Sequence, residues 1–286
     1  MRADLHVHSN ASDGTDPPAE VMRNAAKAGL DAVALTDHDT TAGHAEARTA
    51  LPTGLTLIPG MELSCELAGR SVHLLGYLFD PGHEELAAET KRIRDDRVIR
   101  AQAMVTKLTE LGAALTWDQV AQIAGTSVVG RPHIARAMAE AGVVADPAEA
   151  FTSDWIADDG RAYVPKYALD PSRAIRLINA AGGLAVLAHP RAGRAWNLSD
   201  EEIAGLAAVG LAGVEVYHPD HDLTERTALL HLVRDLDLVA TGGSDDHGSF
   251  TGNRLGCETT SEDSYQRLLS LAAHGFSAGG SRAARG

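Results

Sequence analysis

Short apolar runs alternate with amphipathic stretches along most of the chain, and their order predicts the fold. The run ADLHVH is followed by a helix candidate over 18–28, then LDAVALTDHD, a helix-like stretch over 42–50, and the two runs LTLIPGMELS and SVHLLGYLF. After an interruption come a helix over 172–181, GLAVLAHP, a helix over 200–209, AGVEVYHP, a helix over 224–234, LDLVATGGSDDH and a last helix over 264–273. Strand followed by helix, repeated, predicts a mostly parallel α/β sheet or barrel.

The interruption reads as helical. Leu86, Ile93, Met104, Leu108 and Leu111 form a partial stripe, and shorter helices are expected around WDQVAQIAG and RPHIARAMAEAG. The chain therefore divides into a first barrel part (1–85), an inserted helical subdomain (86–165), a second barrel part (166–276) and a tail (277–286). The tail holds only Gly, Ala, Ser and Arg and is expected to be disordered.

Composition narrows the function. Aromatic residues are only 4% of the chain against 44% hydrophobic, so the core must be built mainly from Ala, Leu and Val. A net charge of −14 excludes a nonspecific duplex-DNA binder, which needs a basic footprint, and is compatible with carboxylates that a bound cation would neutralise. Two cysteines, Cys65 and Cys257, are too few for a disulfide framework. With no apolar signal region and no run of about 18 apolar residues, the expectation is a cytoplasmic protein with no membrane partner. Within the insert, Lys91, Arg92, Arg94, Arg97, Arg100 and Lys107 outnumber Asp95 and Asp96. Such a run is either a solvated helix face or a phosphate-facing surface.

The polar residues gather at one end of the apolar runs: His6 and His8, Asp37 and His38, Glu62, His189, Glu215, and Asp245 with His247. In α/β barrels catalytic groups collect on that face. His73 lies nearer the middle of its run. Side chains two apart on a strand share a face, so His6 and His8 can chelate one ion. Together, His6, His8, Asp13, His38, Glu62, His73, His189, Asp245 and His247 are too many ligands for one tetrahedral zinc, and suit a cluster of divalent ions of manganese, iron or zinc.

The stretches DLHVHSNASDG, LTDHDT, GMELS, VHLLGY, LAHP and GSDDH together resemble the motifs of the polymerase and histidinol phosphatase (PHP) family of metal-dependent phosphoesterases. The resemblance implies a distorted (β/α)7 barrel of PHP type carrying the inserted helical subdomain. It also implies a partition of ligands. His6, His8, Glu62 and Asp245 would hold one ion, Glu62 would bridge to a second held by His73 and His189, and Asp13, His38 and His247 would hold a third.

GRPHIARAM, YVPKY and EVYHPDH resemble a PHP subgroup that removes phosphate from 3′,5′-nucleoside bisphosphates or trims short RNA from its 5′ end. This implies a small phosphorylated nucleotide or a short 5′-phosphorylated RNA end as partner, hydrolysed by a hydroxide bridging the metals. Arg131 and His133 then become candidates for holding the phosphate, against the plainer account that they cap a helix starting beside Pro132. Lys166 could meet a phosphate or be a solvated surface lysine, and His218 is the candidate proton donor. His44, His83, His221, His231 and His274 read as surface or core residues.

Other readings are a histidinol phosphatase, an amide- or ring-cleaving metal hydrolase, and a non-catalytic metal-binding module. The amide hydrolase would be signalled by a metal-bridging Lys, and no ligand motif contains one.

Overall fold

The computed structural model describes residues 1–192 and 197–273. The expected tail over 277–286 and His274 lie outside them. Seven strands, β1 (Ala3–Val7), β2 (Ala32–Leu35), β3 (Thr56–Leu67), β4 (Arg70–Tyr77), β5 (Leu184–Leu187), β6 (Gly213–Tyr217) and β7 (Val239–Gly242), pair in sequence order. The segment after β7 returns to β1: Asp245 donates its N–H to the His6 carbonyl at 2.8 Å, and His8 to the Asp246 carbonyl at 2.9 Å. The sheet is thereby a nearly closed, distorted α/β barrel. Buried Asp4 fastens the seam, its carboxylate accepting from the N–H groups of Ser244 and Gly256.

All strand pairs are parallel except the two made by β4. The turn from β3 is made by Ala68 and Gly69 at φ 51 and 76, two successive left-handed residues that suit a tight hairpin. This reversal explains His73. It sits mid-run in sequence, but β4 descends from the mouth, so its first half lies level with the carboxyl ends of the parallel strands.

Strand parity sorts the side chains. Met61, Leu63, Cys65, Leu74, Leu187, Val214 and Val216 pack outward on helices α6 (Pro171–Ala180), α7 (Asp200–Ala208) and α8 (Leu223–Asp235). Residues of the other parity, including Ala34, Leu75, Tyr77 and Val186, form a second cluster with Tyr265 and Leu268 of α9 (Glu262–Ala273). Val7, Val33 and Leu35 pack on α1 (Pro18–Lys27) with Ala47 of α2 (His44–Thr49). Each fully buried aliphatic side chain contributes about 1.5–3 kcal/mol.

The insert holds α3 (Glu84–Glu110), α4 (Trp117–Ala124) and α5 (Arg131–Glu140). Its own cluster includes Met104, Leu108, Val120, Ile134, Met138 and Ile156, whereas Leu86 and Ile93 at the start of α3 pack with the barrel. The long helix thus grows out of the barrel and crosses into the insert.

Gly242 and Gly243 precede the SDDH stretch where β7 ends. Neither has a positive φ. A Cβ on Gly243 would lie 2.4 Å from that of His6, and one on Gly242 would lie 2.7 Å from the Thr259 carbonyl, so both glycines permit close approach across the seam.

Candidate functional site

The barrel mouth brings all nine candidate ligands together. His6 Nε2 lies 3.1 Å from His8 Nε2, 3.4 Å from Glu62 Oε2 and 3.3 Å from Asp245 Oδ1. His8 Nε2 is 3.2 Å from the same Glu62 oxygen and 3.3 Å from the same Asp245 oxygen. Donors in a tetrahedron around an ion at about 2.0–2.1 Å would be separated by roughly 3.3–3.4 Å, so the four atoms already stand at coordination spacing.

Around this group Glu62 Oε1 meets His73 Nδ1 at 2.7 Å and His189 Nε2 at 3.0 Å. Asp13 lies 3.3 Å from His247 Nε2 and 3.7 Å from His38 Nε2. His38 also places Nδ1 3.0 Å from Glu62 Oε2, so it stands between the second and third groups rather than wholly in the third.

The donor chemistry fits a cation. His6 Nδ1 lies 3.0 Å from Glu215 Oε1 and donates to that carboxylate, so the neutral ring presents the Nε2 lone pair to the centre. Facing it are a second ring nitrogen and two carboxylate oxygens, an arrangement that positive charge stabilises. The buried Nδ1 atoms of His8 and His38 have no hydrogen-bond partner among the described residues.

Burial opposes charge on Asp13, Glu62 and Asp245, yet the surrounding imidazoles hold all three well below the usual carboxylate range. Burial dominates at His38, lowering it to about 3 and keeping it neutral. The site is also backbone-strained. Asp39, His189 and Asp245 have φ of 55, 26 and 48, a cost of order 1–3 kcal/mol each that concentrates at this mouth.

Three buried carboxylates outside the candidate ligand set hold it in place. Glu215 accepts from the His189 N–H at 2.9 Å as well as from His6. Asp37 accepts from Ser9 N–H, Ser9 Oγ and Ser12 Oγ, fixing the loop that carries Asp13. Asp39 accepts from Ser64 N–H and Oγ and pairs with Arg97 of α3 at 2.8 Å. Glu215 and Asp37 stand at strand ends in the sequence, which is a usable signal. The Asp39–Arg97 pair spans 58 residues, and no local pattern shows it.

Two cavities flank the centre and share Ser71, His73, Arg131 and Asp158. One, of about 260 Å3, is partly apolar through Val72, Leu187, Pro190 and Leu198, and reaches His189, His218 and Asp245. The other, of about 300 Å3, places Arg97, Arg100, Arg131 and Lys166 opposite Asp13, His38 and His73. Of the basic run on α3, only Arg97 and Arg100 line this cavity. Lys91 pairs with Asp95, and Arg92 stacks on Tyr167.

Arg131 pairs with Asp158 at 2.9 Å and lines both cavities. Lys166 donates to Ser71 Oγ at 2.7 Å, and burial, reinforced by Arg97, lowers its ammonium to about 8. His218 Nδ1 accepts from Asp220 N–H, which leaves Nε2–H directed toward Asp245 Oδ2 at 3.5 Å. His133 does not join them. Its Nδ1 caps α5 by accepting the Gly130 N–H at 3.0 Å, and the ring lines neither of these cavities.

Of the histidines set aside, His44 and His221 are buried and bonded to main chain, and His83 caps α3.

A barrel with imidazoles and carboxylates converging at its strand ends beside a cationic cavity is the architecture of a metal-dependent hydrolase. The family model described as the PHP domain matches residues 4–111. The chain is 35% identical to a 3′,5′-nucleoside bisphosphate phosphatase of Chromobacterium violaceum, over 88% of this chain and 89% of that one. It is 34% identical to a 5′-3′ exoribonuclease of Haemophilus influenzae (85% and 89%), and 33% identical to a phosphoribosyl 1,2-cyclic phosphate 1,2-diphosphodiesterase of Eggerthella lenta (87% and 95%).

A solved structure from Bifidobacterium adolescentis, assigned as a metal-dependent phosphoesterase, superposes with a TM-score of 0.88 at 36% identity, covering 94% of this chain and 95% of that one. The chain belongs to the PHP family, and it is a metal-dependent phosphoric ester hydrolase. No helix among the described residues is long and apolar enough to cross a membrane.

Proposed function

We infer that the protein removes the 3′-phosphate from a 3′,5′-nucleoside bisphosphate and that short 5′-phosphorylated RNA is a second substrate of the same site. The observation that carries this reading is the cavity in which Arg97, Arg100, Arg131 and Lys166 face the candidate ligands Asp13, His38 and His73. A substrate with two phosphates can place one at the centre and the other among these four cations, while the partly apolar cavity accepts the nucleoside. Histidinol phosphate has one phosphate and a cationic amine, which the same four side chains would repel.

The nine candidate ligands would hold two or three divalent ions of manganese, iron or zinc. Such ions supply Lewis acidity toward phosphoryl oxygens and lower the pKa of a nucleophilic water. Arg131, reaching both cavities, would orient the phosphate through its planar fork of donors. His218, held in the Nε2–H form by Asp220, would give its proton to the leaving oxygen. Glu215 keeps His6 in the tautomer that offers Nε2 inward.

The test is phosphate release by manganese-loaded protein from adenosine 3′,5′-bisphosphate, with AMP, histidinol phosphate, a ribose 1,2-cyclic phosphate ester and a 5′-phosphorylated RNA compared directly. Preference for the bisphosphate over AMP by an order of magnitude or more supports the reading. Equal turnover of AMP, or preference for histidinol phosphate, overturns it.

A further inference from the structure

A third cavity, of about 340 Å3, lies where the loop after β1 meets the insert and shares no lining residue with the cationic cavity already described. Asn10, Thr15, Thr126, Ser127, His133 and Arg136 supply its polar lining, and no carboxylate side chain lines it.

Two of its side chains have donors to spare. Arg136 makes no hydrogen bond or ion pair among the described residues. The His133 ring is only 3% exposed, and because Nδ1 accepts the Gly130 N–H, Nε2 must carry the proton. That N–H has no partner among the described residues. A ring N–H and a guanidinium that line one cavity without protein acceptors are free to bind a ligand, and two donors with no carboxylate beside them select an anion.

The cavity is also built into the catalytic end of the barrel. Ser127 donates to the Asn10 carbonyl, Val128 N–H to the Ala11 carbonyl at 3.1 Å, and Thr15 N–H to the carbonyl of His247 at 3.1 Å. The first turns of α5 therefore straddle two sites, with Arg131 on the cavity beside the candidate metal ligands and His133 with Arg136 on this one.

We propose that this third cavity binds a backbone phosphodiester of a short RNA substrate, with Arg136 and His133 Nε2–H as its donors. The inference rests on the RNA activity proposed above. It gives the enzyme a contact that a mononucleotide bisphosphate, whose two phosphates are already accommodated, does not use. Free inorganic phosphate shares the chemistry and is the other possible source of the anion.

The experiment uses the manganese-loaded full chain and a fluorescent, 5′-phosphorylated hexaribonucleotide whose first linkage is a non-hydrolysable phosphonate. Binding is read by anisotropy. Arg136→Glu should raise Kd by about tenfold or more, and Arg136→Lys should recover part of it. Metal content and turnover of adenosine 3′,5′-bisphosphate should stay at wild-type levels. His133→Gln keeps a side-chain acceptor for the Gly130 N–H and should weaken hexamer binding in the same direction.

An unchanged hexamer Kd in Arg136→Glu overturns the proposal, as does a wild-type protein that binds the hexamer no better than the mononucleotide. If Arg136→Glu leaves hexamer binding intact but relieves inhibition by inorganic phosphate, the cavity is a free-phosphate site and the RNA assignment is overturned. Because binding needs no turnover and bisphosphate hydrolysis is read separately, failure of this inference is distinguishable from failure of the bisphosphate reading.

Discussion

Glu215→Gln isolates the control of one histidine tautomer. The carboxylate lies 3.0 Å from His6 Nδ1 and can only accept, which forces the proton onto Nδ1 and leaves Nε2 free to coordinate. The amide of Gln has nearly the same shape but can turn its NH2 group to that nitrogen, stabilising the opposite tautomer with Nε2–H directed at His8, 3.1 Å away. Loss of a buried charge-assisted hydrogen bond is worth about 1.5–3 kcal/mol, which corresponds to roughly a 10- to 150-fold loss in metal affinity.

The assay is metal content after dialysis against a graded chelator, together with kcat for adenosine 3′,5′-bisphosphate at saturating manganese. The expected pattern is weaker metal retention with activity partly restored by excess metal. Melting temperature controls for folding, because Glu215 also accepts from the His189 N–H. A Glu215→Gln protein that keeps metal and turnover within about threefold of wild type would refute the tautomer argument.

Four further outcomes are expected. His218→Asn should lower kcat by about 10²- to 10⁴-fold for a nucleotide ester but much less for a p-nitrophenyl ester, whose leaving group needs no proton; an equal loss on both would remove His218 as the acid. Lys166, charged below about 8 and neutral above, should make KM for the bisphosphate rise as pH increases through that value, and Lys166→Met should raise KM and flatten the dependence. Arg97→Leu, which strands the fully buried Asp39 carboxylate, should cost about 3–5 kcal/mol in urea unfolding, with Asp39→Asn in the same chain recovering part of it. Gly243→Ala, whose Cβ would meet that of His6 at 2.4 Å, should destabilise by about 1–3 kcal/mol and weaken metal retention, both read on the apo- and metal-loaded protein by calorimetry.

Much of this molecule was legible from residue order. Periodicity carries the strand–helix alternation because burial on one face leaves a local trace, and HVH, TDHD and SDDH mark strand ends because polar side chains interrupt apolar runs there. The reversal of β4 was not legible. Its cause is a two-residue turn at Ala68 and Gly69, and a buried antiparallel strand has the same apolar pattern as a parallel one. His73 therefore lies mid-run in the sequence, and only the direction of β4 brings it level with the other ligands. The basic run on α3 had the same ambiguity: composition could not separate Arg97 and Arg100, which turn toward the site, from Lys91, which pairs with Asp95 at 2.6 Å on the surface.

By itself, then, the sequence determined the elements, the set of nine candidate ligands and the family motifs that they compose, because each is written in neighbours a few positions apart. Only the tertiary structure decided which carboxylates orient those ligands, that Arg131 and Lys166 share a cavity while His133 faces another, and that Gly243 is required by contact with His6. Those relations depend on distances between segments far apart in the chain, which are set by how the barrel closes and how the insert packs on it.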